Sequence, residues 1–103
     1  MTDKKKPLEN EGAEKISRLI EIREQYKGDS AVIQRSRLLL AVSEFPVSTL
    51  EARQHLDIMH PGGRIMELRR ADWNIHTIRV AEPSECGKLH NVARYILQVA
   101  AQP

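Results

Sequence analysis

The chain has 103 residues, 41% hydrophobic, 29% charged and only 4% aromatic, enough for one domain whose modest core must be filled by aliphatic side chains. A formal net charge of +2 permits an anionic partner without arguing for one, so the placement of charge matters more than its sum. The single cysteine, Cys86, excludes an intrachain disulfide and a closed cysteine-based zinc site, and it fits a reducing compartment.

Residues 1–12 are polar, carry both signs of charge and contain Pro7 and Gly12, which predicts a disordered tail. Lys4, Lys5 and Lys6 could begin a signal peptide, but Pro7, Glu9, Glu11 and Glu14 stand where an apolar stretch would be required. The longest uninterrupted apolar run, Leu38 to Val42, is far too short to span a bilayer, so a cytoplasmic protein with no membrane partner is expected. Residues 13–28 form an amphipathic segment in which Ile16, Leu19, Ile20 and Arg23 recur at helical spacing, Glu14 and Arg18 stand at i, i+4, and Gly28 ends the helix. A helix of this length is marginal alone in water, so its stripe packs either on the domain behind it or on a second copy. Residues 13–27 are therefore the candidate homodimer interface.

Residues 29–100 read as one domain. Asp29 or Ser30 caps a helix reaching about Glu44, with Ile33, Leu38, Ala41 and Val42 inward and Gln34, Arg35 and Arg37 on a polar face. Pro46 closes it. Ser48, Thr49, Leu50 and Glu51 then spell a capping box for a short helix to Leu56, and Asp57, Ile58 and Met59 make a turn. Pro61 suits the first turn of a third helix running to Ala71 or Asp72, with Ile65 and Leu68 inward. After Trp73 the period changes. Residues 74–80 and 91–99 are strand-like, and the 81–90 loop between them holds Pro83, Ser84 and Gly87. Ile75 falls on one face of the first strand, Ile78 and Val80 on the other, which predicts a bulge or burial of both faces.

The order helix, helix, turn, helix, hairpin is that of an α+β winged helix-turn-helix: a three-helix core plus a C-terminal β-hairpin, here with an extra N-terminal helix. In that arrangement the helix over residues 60–72 is held on a rigid mount and fits the major groove of double-stranded DNA. Its outward residues would be His60, Gly62, Gly63, Arg64, Glu67, Arg69 and Arg70. Each glycine costs a helix on the order of 1 kcal/mol relative to alanine. They are explained by close approach of backbone to a phosphate, by an unusual backbone shape, or by a helix that starts nearer Arg64. Arg64 and Arg70 suit base or phosphate contacts, whereas Arg69 has Glu67, Asp72 or a neighbouring element as alternative partners. In the 81–90 loop, the expected wing, Lys88 and His90 suit the sugar-phosphate backbone, while Glu82 and Glu85 do not. The scattered His55, His60, His76 and His90 show no zinc spacing with Cys86, and no nucleophile–base or phosphate-loop motif occurs. No metal, cofactor or enzymatic activity is expected.

The run PVSTLEARQHLDIMHPGGRIMELRRADWNIHT, followed after the loop by HNVARYIL and preceded by QRSRLLLAV, resembles a family of small winged helix-turn-helix domains found in bacteria and their phages. The likeness covers about residues 34–98. It implies a winged-helix fold and sequence-specific DNA binding in a regulatory setting. The competing expectation is a winged-helix protein–protein interaction module without DNA binding, because such folds are reused for that purpose.

Overall fold

The computed structural model describes residues 7–98, with side chains from residue 12 onward. Residues 1–6 of the expected tail, and Val99 of the expected second strand, lie outside the described residues. The first helix, α1, spans Pro7–Gln25 and so begins six residues before the sequence pattern placed it. Proline is well suited to a first helical position, where no N–H is needed.

Leu19 and Ile22 of α1 are fully buried in the same core as the rest of the chain, which answers what the apolar stripe packs on. Burying such a side chain contributes about 2 kcal/mol. Arg18 turns away from Glu14 and grips Glu44 with two parallel bonds of 2.8 Å, while Lys15 reaches Glu51 at 2.9 Å. Gly28, at φ +123°, takes a backbone shape that only glycine adopts easily and turns the chain into the next helix.

Helix α2 spans Ala31–Glu44, and its cap is Ser30, whose hydroxyl accepts the Ile33 N–H at 3.1 Å. Leu38, Ala41 and Val42 face the core. One member of the expected polar face does not lie there: Arg37 is only 2% exposed, inside the domain. The strand β1, Val47–Ser48, had no signal in the sequence because two residues carry no periodicity. Ser48 pairs in the sheet and also caps α3, Thr49–His55, where the full capping box with Glu51 forms at 3.0 Å in both directions. Ile58 and Leu56 at the end of α3 are completely buried, and Asp57 between them adopts a left-handed φ of +56°.

Helix α4, Pro61–Arg70, buries Ile65 and Leu68 and stops at Asp72, left-handed at φ +74°. Strands β2, Ile75–Pro83, and β3, Leu89–Leu97, pair antiparallel in one unbroken register from Ile75↔Leu97 to Pro83↔Leu89, in a sheet of order β1-β3-β2. Neither a bulge nor burial of both faces is needed for the broken alternation. Ile75 is in the core, and Ile78 simply lies on the outer face at 44% exposure. The pairing also corrects the 81–90 loop. Ala81, Glu82 and Pro83 pair with Asn91, His90 and Leu89, so only Ser84–Lys88 remain unpaired at the tip. Pro83 is tolerated because β2 is an edge strand. Among the described residues no helix is long and apolar enough to cross a membrane.

The Arg18 pair holds the Glu44 carboxyl below the usual carboxylate range, with desolvation opposing. A depressed value means that the ionised pair adds stability above the unfolded-state value, near 4.3, and that this is lost as pH falls through the folded one. Thermal unfolding should therefore shift downward across the acidic range, and Glu44→Gln should flatten that shift while leaving the fold intact.

Candidate nucleic-acid interface

Helix α4 is held from behind by α2 and from one side by the hairpin, so its outer face is presented on a fixed frame. Tyr95 of β3 lies under the first turn, and a Cβ placed at Gly62 would meet its hydroxyl at 3.8 Å, an ordinary contact. At Gly63 a Cβ would meet nothing within 4 Å, and neither glycine has a positive φ. The helix starts at Pro61, not at Arg64. Of the explanations for the two glycines, an unusual backbone shape and a late start are thus removed. What they do accomplish is a first turn whose one side chain, Pro61, is buried and whose outer side is bare.

His60 is exposed just ahead of that turn and makes no capping bond with its side chain. Arg64 and Glu67 stand at i, i+3, with Arg64 Nη2 3.0 Å from one carboxylate oxygen. The other oxygen accepts from Arg35 Nη1 of α2 at 2.9 Å. The Arg35 hydrogen bond first, and the charges of Arg64, Arg35 and Arg70 after it, hold the Glu67 carboxyl below its usual range against a desolvation penalty. Glu67 is therefore a carboxylate with its charge more than offset by neighbouring arginines. Arg70 in the last turn is exposed and has no acidic partner within salt-bridge distance among the described residues. Arg69 is committed elsewhere: Nε donates to the Ile75 carbonyl at 2.8 Å and Nη2 to the Thr77 hydroxyl at 2.7 Å, clamping α4 to β2.

The hairpin tip is a tight turn in which Ser84 N–H donates to the Lys88 carbonyl and Gly87 N–H to that of Ser84, both at 2.9 Å. Gly87, at φ +88°, makes this closure feasible. Lys88 is exposed on the turn, whereas His90 lies in the β3 ladder opposite Glu82. Glu82 is tied to Arg94 at 3.0 Å, which removes one of the two acidic groups that had counted against a wing. Glu85 remains beside Cys86. The Ser84 hydroxyl, and after it the Lys88 backbone, lower the pKa of the Cys86 thiol. An open groove of about 480 Å³ separates this tip from Leu50, Arg53 and Gln54 of α3. The wing tip and α3 therefore flank the same side of the domain.

The structure thus leaves His60, Gly62, Gly63, Arg64, Glu67 and Arg70 exposed or half-exposed along α4, with exposed Met66 among them, sets Lys88 apart on the tip, and ties the exposed Arg69 to β2. Arg53 is a cation that pattern reading left out. It is exposed on α3 and braces the turn through the Met59 carbonyl at 3.2 Å. Were the tip to meet a duplex backbone, Lys88→Ala should weaken binding to all duplexes about equally and reduce the dependence of log K on log salt by about one, measured by titration at several salt concentrations.

Residues 33–100 match the family model described as a winged helix-turn-helix domain. No curated protein and no solved structure gives a match. The matched span runs from α2 through β3, and α1, outside it, fills part of the same core. With the matching helices, hairpin and sheet all present, the chain belongs to the winged helix-turn-helix domain family.

Proposed function

We propose that this protein binds double-stranded DNA in a sequence-specific manner, with α4 in the major groove and the Ser84–Lys88 tip as wing, and that it serves as a bacterial or phage transcriptional regulator. The observation that carries the proposal is the outer face of α4. After the buried Pro61 its first turn bears only Gly62 and Gly63, the next presents Arg64, and the last presents exposed Arg70, on a family framework associated with DNA binding. A bare first turn lets backbone N–H groups approach a phosphate closely, and arginine is the side chain best suited to guanine edges. Phosphate contacts make binding salt-dependent. Fluorescence titration with mixed-sequence duplex at low salt should show binding that weakens steeply as salt rises. An absence of binding at low salt would dismiss the proposal.

A regulator reading a palindromic site acts as a two-fold dimer, and residues 13–27 are proposed as its contact. Leu19 and Ile22 are occupied by the chain's own core, so Ile16, 40% exposed, is what α1 offers to a second copy. Sedimentation equilibrium of the protein beside Ile16→Glu should show a dimer dissociating in the variant. A monomer in both removes the dimer.

The second reading, a protein-interaction module, is favoured by one observation at the base of the hairpin. Trp73 is 43% exposed beside Leu39, Leu40 and Leu97, in an open groove that also includes Tyr26. Recovery of a specific host protein after nuclease treatment, without duplex binding, would favour it over the first.

A further inference from the structure

We infer that Glu67 is a positioning residue for base reading, a buttress that holds Arg64 in the orientation in which its free guanidinium edge meets a guanine. The inference rests on the DNA-binding reading and adds to it a residue whose charge alone would argue against contact with DNA.

A carboxylate on a helix that approaches phosphates is repelled by them, so its presence needs a cause. Glu67 is shared between two arginines from different elements. Arg35 of α2 anchors one oxygen at 2.9 Å, and the second oxygen takes Arg64 Nη2 at 3.0 Å. The three side chains are 31%, 21% and 31% exposed for Arg35, Arg64 and Glu67, so the group is half sheltered and less screened than a surface pair. Arg64 is consequently pinned from one side only. Its Nε is buried, Nη2 is engaged by Glu67, and Nη1 makes no hydrogen bond among the described residues, so the terminal Nη1–Nη2 edge is the one left for a base.

A guanidinium carries five donors, and a bidentate contact to guanine needs two of them presented together. Ahead of Arg64, Gly62 and Gly63 place no side chain across the approach. The geometry is that of an arginine whose rotamer freedom has been removed before binding, which lowers the entropic cost of the contact. Because Arg35 anchors the carboxylate to α2, the orientation of Arg64 is referred to the body of the domain and not to α4 alone.

The test uses the full chain and two probes: a duplex enriched from a random pool by the wild-type protein, and a scrambled duplex of equal composition. For Glu67→Gln, the ratio of affinities for the two should fall about tenfold, the scale of one bidentate contact. Affinity for the scrambled duplex should hold or rise, since a negative charge has gone. Arg64→Ala should lower the ratio similarly, and adding Glu67→Gln to it should change the ratio no further. A role confined to bridging α2 and α4 would lower thermal stability without moving the ratio. An unchanged ratio in Glu67→Gln, or losses that add in the double variant, overturns the inference while the DNA reading stands. Wild-type protein that binds neither probe overturns both.

Discussion

Replacing Arg37 with methionine should lower the free energy of unfolding by about 4 kcal/mol, read as a fall in the urea midpoint at constant slope. Arg37 is 2% exposed, yet it makes no salt bridge among the described residues. Its guanidinium donates to backbone carbonyls of Tyr26 at 3.0 and 2.7 Å, Gly28 at 2.6 Å, Leu56 at 2.8 Å and, more weakly, Asp57 at 3.4 Å. The first two follow the end of α1, and Leu56 is the C-cap of α3. Carbonyls at helix C-termini lack intrahelical partners and carry the negative end of the helix dipole, so together they take the place of a counterion. Methionine matches the bulk but leaves those acceptors buried and unpaired. Small domains are stable by only about 5–15 kcal/mol, so the loss is a large share of the total. Lysine should not rescue, because an ammonium lacks the planar fork that reaches acceptors on both segments at once. A Lys variant as stable as wild type would show that charge alone suffices and that the fork is unimportant.

Arg64→Ala and Arg70→Ala should both weaken DNA binding, but in different ways. Arg64 follows the two glycines of the first turn and is held by Glu67, an arrangement that on the proposed reading turns it toward base edges. Its loss should cost about 1–3 kcal/mol on the preferred duplex and relax discrimination at one base position. Arg70 is exposed in the last turn with no acidic partner among the described residues, which suits a phosphate. Its loss should weaken binding to every duplex by a similar factor and reduce the salt slope by about one. Competition titrations across single-base variants separate the two patterns. Equal behaviour of the two variants would mean that α4 does not read sequence through Arg64.

The helices of this chain were legible because their ends are written locally. Ser30 and Ser48 accept N–H groups within three residues, Pro61 stands at a first turn, and Gly28 sits where φ is positive. The inward residues Leu38, Ala41, Ile65 and Leu68 follow from period alone. The outward side of α4 was legible only in part, since Met66, 53% exposed, also stands there.

What failed to show in the sequence depends on partners far along the chain. For Arg69 the sequence left open Glu67, Asp72 or a neighbouring element as partner, and only the fold brings β2 to it, with two contacts. The wing looked ten residues long because Glu82, Pro83 and His90 have no strand propensity, yet cross-strand pairing carries both strands onward to Pro83 and Leu89. Strand β1 exists only because β3 lies beside Val47 and Ser48.

The sequence by itself determined the order of elements, their caps and the winged helix-turn-helix plan, because these rest on interactions within a few residues. The tertiary structure alone decided what the long charged side chains do. Arg37, Arg35 and, in its bond to Glu44, Arg18 find partners 9 to 32 residues away, at carbonyls and carboxylates that no local pattern brings together. An arginine reaches far enough to serve either water or a distant backbone, and only the packing of helices around it determines which.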